Sequence, residues 1–130
     1  KVTLAAQLDA TNISISAKNK RGKETDKVSN VKKLAISFSI VKNITAETGE
    51  RTLYIRIAKP DNDILSNGNS TFTYENRSLD YSIKKYIEYT GEEQNVTVYW
   101  DVQEYLPAGT YNVYIFAEGN MIGQKSFSLK

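Results

Sequence analysis

The chain has 130 residues and a formal net charge of +2, with 40% hydrophobic and 25% charged residues, enough for one domain with one hydrophobic core. It contains no cysteine and no histidine, which excludes a disulfide framework, thiolate metal sites, the commonest zinc ligand and Ser-His hydrolase chemistry. Charge is uneven: residues 1–33 hold eight Lys/Arg against three Asp/Glu, whereas residues 34–130 hold nine against twelve.

The dominant hydrophobic period along the chain is two, the period of strands. Residues 2–8 and 11–17 are the first strand candidates. Residues 18–30 form a long polar connection carrying Lys18, Lys20, Arg21, Lys23 and Lys27, with Lys32 and Lys33 just beyond. Glu24 and Asp26 dilute that charge and no aromatic side chain interleaves it, so nucleic acid is not an expected partner. In residues 34–40, Leu34, Ile36, Phe38 and Ile40 alternate with Ala35, Ser37 and Ser39, which aims a bulky set at a core and a small set outward. Leu53, Ile55 and Ile57 repeat the pattern.

Residues 59–70 read as a second long loop, with Asp61-Asn62-Asp63 and Asn67-Gly68-Asn69 at its turns. The oxygen-rich composition of 61–69 suits calcium, but the Gly spacing and the missing distal Glu depart from an EF-hand, and no metal site is expected. Residues 71–75 form a short strand. Residues 79–89 are ambiguous between helix and strand. Shared parity of Leu79, Tyr81, Ile83, Ile87 and Tyr89 favours one strand, with a bulge at Lys84 and Lys85 to absorb the inward lysine. Val96, Val98, Trp100 and Val102 alternate next, placing Trp100 in the core. Tyr111, Val113, Ile115 and Ala117 follow, then a two-residue turn at Gly119-Asn120 and a last strand over 122–129. The expected fold is all-β: an antiparallel sandwich of about seven to nine strands forming a single domain over residues 1–130.

No constellation carries catalytic chemistry, and the chain is not expected to be an enzyme. Glu92 with Glu93, and Asp101 with Glu104, are neighbouring carboxylates without an apolar pocket to separate their acidities. An unfamiliar enzyme would have to draw on Asp101, Glu104 or Lys85. No cofactor is expected. Five Asn-x-Ser/Thr triplets, at Asn12, Asn43, Asn69, Asn76 and Asn95, read mostly as chance in a chain rich in those residues. The feature with functional weight is the outward parity: Tyr54, Tyr99, Tyr114 and Phe116 alternate with core residues on three strands. Those that share a sheet place aromatic rings on a face turned from the core, a grip for a partner or a cross-strand brace.

The stretch from Val96 to Leu129, with Val98-Tyr99-Trp100-Asp101-Val102, Leu106-Pro107-Ala108-Gly109-Thr110-Tyr111 and Ile115-Phe116-Ala117-Glu118-Gly119-Asn120-Met121, resembles the terminal strands of bacterial immunoglobulin-like or fibronectin-III-like envelope modules. The Leu-Pro-Ala-Gly-Thr-Tyr segment is similar to the corner at which a Tyr hydroxyl bonds back to upstream backbone in immunoglobulin-like domains. The paired cysteines of true immunoglobulin domains are missing. The resemblance implies an extracytoplasmic domain, in the periplasm or at the cell surface, closing a longer parent chain. Any membrane contact would then come through a part of that chain not present here. It transfers no binding residue. The expected function is a non-catalytic structural or protein-interaction module of the bacterial cell envelope, using a sheet face or an edge strand. The alternative is a carbohydrate-binding module whose outward tyrosines stack on sugar rings, with Asn or Asp of residues 61–69 bonding hydroxyls.

Overall fold

The computed structural model describes residues 8–42, 47–66 and 70–130. Among them are nine strands: β1 (Ala10–Lys18), β2 (Lys33–Ile40), β3 (Gly49–Ala58), β4 (Thr71–Tyr74), β5 (Arg77–Asp80), β6 (Ile83–Tyr89), β7 (Gln94–Asp101), β8 (Gly109–Ala117) and β9 (Asn120–Leu129). Every pairing is antiparallel. One sheet has the order β1-β2-β7, the second β6-β3-β8-β9, and β4-β5 is a separate hairpin. The chain therefore changes sheet between β2 and β3, between β6 and β7, and between β7 and β8, which makes an antiparallel β-sandwich rather than a meander.

Alternation puts one face of each sheet against the other. Leu34, Ile36 and Ile40 of β2 meet Leu53, Ile55 and Ile57 of β3 and Val113 and Ile115 of β8 in one core, all at 0% exposure. Each such side chain contributes about 1.5–3 kcal/mol by leaving water. Tyr111, also fully buried, donates its hydroxyl to the Pro107 carbonyl at 2.6 Å and stacks on Phe127 at 5.2 Å. The tyrosine corner expected from residues 106–111 is thus present. Burial pushes the Tyr111 phenol up to about 12, with the charges of Tyr105, Asp61 and Glu104 acting the same way. Trp100 lies in the core as expected, and its Nε1 has no hydrogen-bond partner among the described residues.

Several elements differ from the sequence reading, each for a local reason. The expected strand over 79–89 breaks at Tyr81 and Ser82, and its first residues belong to the β4-β5 hairpin. Leu79 and Tyr81 therefore do not share a face with Ile83, Ile87 and Tyr89. No bulge occurs at Lys84 and Lys85, whose pairing with Tyr54 and Leu53 is in continuous register. Because β6 is an edge strand, Lys85 reaches water from the inward parity. The bulges lie elsewhere, on β1 between Thr11 and Ser14 and on β9 at Ile122, which is extra between Gly123 opposite Ile115 and Met121 opposite Phe116. Those bulges bring the two edges together: a Cβ on Gly123 would stand 2.8 Å from Ile13 Cδ1. The last hairpin turns one residue earlier than expected, at Glu118-Gly119, with φ of 55° and 78°. The expected strand at 2–8 lies, apart from Leu8, outside the described residues, as do residues 67–69 of the second loop.

Candidate functional site

The β4-β5 hairpin does not extend either sheet. It lies on the outer face of the four-stranded sheet, turned by Glu75-Asn76 with φ of 51° and 64°, the left-handed pair of a type I′ turn. What holds it there is aromatic. Phe72 stacks on Tyr54 with centroids 4.5 Å apart, and Tyr81 tilts against Tyr54 at 5.1 Å. Phe116 receives Phe72 at 5.1 Å and the edge of Tyr74 at 5.0 Å. Offset and edge-on ring pairs of this kind are each worth about 0.5–1.5 kcal/mol beyond burial. Polar links complete the anchor. Arg56 Nε donates to the Asp80 carbonyl at 2.7 Å, and the buried Ser82 hydroxyl accepts the Ile57 N–H at 2.9 Å while donating to the Leu65 carbonyl.

Beside the hairpin the same sheet face opens into a groove of about 480 Å³. Its floor is Phe116, Tyr114 and Ala58; Tyr74, Arg77 and Leu79 form the hairpin wall; Asn62 and Ile64 form the loop wall; Met121 stands at the β9 rim. The loop wall is firmly seated. Asp61 Oδ1 accepts the Asp63 N–H at 3.0 Å, Lys59 Nζ donates to Glu104 Oε2 at 3.0 Å, and Gly109 leaves room for the Pro60 ring where a Cβ would meet Pro60 Cγ at 2.8 Å. Arg56 is half-buried in the groove. Burial lowers its pKa from the usual guanidinium range, Asp80 and Tyr114 oppose that effect, and Arg77 adds to it.

The four outward aromatics do not form one patch. Tyr54, Tyr114 and Phe116 share the four-stranded sheet, whereas Tyr99 lies on β7 in the other sheet, 57% exposed and 5.3 Å under Lys33 Nζ. Phe116 is only 4% exposed because the hairpin covers it, and Tyr54 is held inside the ring cluster. Tyr114 alone of the four lines the groove with part of its surface open. Sequence reasoning missed Arg56, Arg77, Phe72 and Ser82. The available signal was Tyr74-Glu75-Asn76-Arg77, in which an Asn tolerant of positive φ sits between two strand-like pairs.

Other charged constellations are spread over the surface. Asp101 pairs with Lys33 at 3.8 Å, Glu104 with Lys59, and Glu92 with Lys42 at 3.6 Å. The basic loop is a turn in which the Asn19 carboxamide accepts the N–H groups of Arg21 and Lys23. Among the described residues no group of three or more acidic side chains is placed to hold a metal ion. Asn95 of the fifth Asn-x-Ser/Thr triplet is on a strand and accepts from Ser39 at 2.7 Å, while Asn43 and Asn69 lie outside the described residues.

Comparison with solved structures finds similar folds at low identity. A Pseudomonas fluorescens alkylpurine DNA glycosylase AlkC, bound to DNA containing an abasic site analog, matches 96% of this chain at TM-score 0.55 and 10% identity. A β-glucosidase of Kluyveromyces marxianus in complex with glucose matches 95% at TM-score 0.53 and 18% identity. The chain spans 31% of the first protein and 14% of the second, so the likeness is one of fold for a part of each. No curated protein matches the sequence. The family match, in contrast, takes in nearly the whole sandwich: over residues 11–130 the chain belongs to the family described as a domain of unknown function (DUF8428).

Proposed function

We propose that this sandwich is a non-catalytic protein-interaction module of a bacterial cell envelope, acting outside the cytoplasm through the outer face of its four-stranded sheet. The groove beside the β4-β5 hairpin is the observation that carries the reading. It combines a rigid aromatic floor, an open Tyr114, a Met121 that is 46% exposed and half-buried arginine, the side-chain types that anchor protein contacts. Rings locked by the hairpin lose little entropy on binding, which favours affinity. The envelope location rests on the resemblance of residues 96–129 to the endings of envelope modules.

The test is capture from an envelope extract with the tagged domain as bait, compared with Tyr114→Ala and with Tyr99→Ala on the opposite face. Loss of one captured protein with Tyr114→Ala, at unchanged melting temperature, and retention with Tyr99→Ala support the reading. Equal capture by all three sinks it. A carbohydrate-binding reading draws on one specific observation: Asn62, from the loop expected to bond hydroxyls, and Tyr114 line the same groove. Retardation in polysaccharide affinity gels that Tyr114→Ala abolishes would favour sugar.

A further inference from the structure

We infer that the groove takes an acidic peptide segment bearing an apolar side chain, with Arg56 and Arg77 binding its carboxylates. The inference rests on the interaction reading above and names the chemistry of the partner.

The groove carries positive charge at Arg56 and Arg77. Five cations of the domain, Lys33, Lys42, Arg51, Lys59 and Lys130, have a carboxylate within 4.0 Å. Most of the other described cations, Arg77 among them, have none and are exposed, whereas Arg56 has none and is half-buried. Arg56 spends Nε on the Asp80 carbonyl, and among the described residues neither its terminal nitrogens nor the Arg77 guanidinium has a hydrogen-bond or ion-pair partner. The Tyr114 and Tyr74 hydroxyls, also on the lining, likewise have no hydrogen-bond partner among them. Among the described residues no carboxylate lines the space. The half-buried Arg56 guanidinium has already lost part of its hydration, and the Asp80 carboxylate that acts on it lies beyond 4.0 Å, so an arriving carboxylate gains more there than at a solvated lysine. Arginine's planar fork suits a carboxylate bidentately.

The remaining lining selects the class of anion. Phe116, Ile64, Leu79 and Met121 offer an apolar surface between the charges, which suits a Leu or Phe flanked by Glu or Asp. A nucleic acid backbone would find no run of basic residues there. The exposed lysines of residues 18–33 are a poorer site for such a peptide, because they carry no apolar floor.

The 15N-labelled domain is titrated with acetyl-Glu-Glu-Leu-Glu-Glu-Leu-amide and with the same peptide carrying Gln for every Glu. Chemical-shift changes confined to Arg56, Arg77, Tyr114 and Met121 and their neighbours are expected for the Glu peptide, with affinity about tenfold weaker in Arg77→Gln or Arg56→Gln. Arg56→Lys, which keeps the charge and loses the fork, should also weaken binding, and the paired Lys20→Gln/Arg21→Gln variant should leave it unchanged. The inference is overturned if the Gln peptide binds as well, if the shifts map to residues 18–33, or if a single-stranded oligothymidylate occupies the groove more tightly. Groove binding by the Gln peptide that Tyr114→Ala abolishes would retain the interaction reading and remove only the acidic partner. No binding by either peptide, together with partner capture indifferent to Tyr114→Ala, removes both.

Discussion

The two outer faces of this sandwich are written in the same alternating code and meet opposite ends. On the three-stranded sheet the outward set is small and polar, and it satisfies itself: Ser37 bonds Thr97 at 3.0 Å, Ser39 bonds Asn95, and Ser16 bonds Glu24 at 2.6 Å. Tyr99 stands on that face with its ring under Lys33 and little else. On the four-stranded sheet the outward set is aromatic and cationic, and an inserted hairpin of eight paired residues, β4 and β5, roofs half of it. The roof turns what would be a sticky surface into a second small core and leaves a lined groove at its margin. An outward aromatic is therefore a surface feature only where nothing comes back over it.

Removing the roof is the sharpest way to break the contrast. Phe72→Ala should cost roughly 3–5 kcal/mol in chemical denaturation, because the ring is 9% exposed and touches both Tyr54 and Phe116. It should also expose apolar surface measurable by dye binding. A loss below about 1 kcal/mol would mean that the hairpin is not seated by its rings. Ser82→Ala comes next, at about 1–3 kcal/mol, since it strands the buried Ile57 N–H and unties Leu65 from the hairpin's exit.

Tyr111→Phe probes the shared core beneath both faces. At neutral pH it should lose about 1 kcal/mol with the bond to Pro107. The pH dependence has a defined sign. The phenol titrates near 10 in the unfolded chain and near 12 in the fold, so its contribution is full below pH 10 and is lost as the pH rises towards 12. Thermal melts from pH 9 to 11.5 should fall more steeply for the native protein than for Tyr111→Phe, by at most about 3 kcal/mol in all. Parallel curves would show that Tyr111 is not the group titrating. The smallest effect belongs to Tyr99→Ala, within about 0.5 kcal/mol, because an exposed ring in contact with one lysine has little to lose. A larger loss would place that face on a footing with the roofed one.

How much of this was legible depended on the range of the interaction involved. Residues 34–40, 53–57, 96–102 and 111–117 announce themselves by period two, and each is inside an observed strand or reaches one residue past it. Tyr111 and its corner were legible because every part of the motif lies within six residues. The aromatic site was legible in part: Tyr114 was named and its groove was not, since Arg56, Asn62, Arg77 and Met121 come from four separate segments. The stretch 79–89 misled because parity assumes one continuous strand, and the chain instead spends Tyr81 on the ring cluster and Ser82 on the β3 backbone.

By itself the sequence determined the all-β class, the inward residues of the main strands, the burial of Trp100 and the tyrosine corner, because period-two burial and short-range turn chemistry are local properties of the chain. Only the tertiary structure decided which outward rings face solvent. That outcome turns on where strands separated by dozens of residues are paired, and on a hairpin whose position is set by contacts with a sheet it does not join.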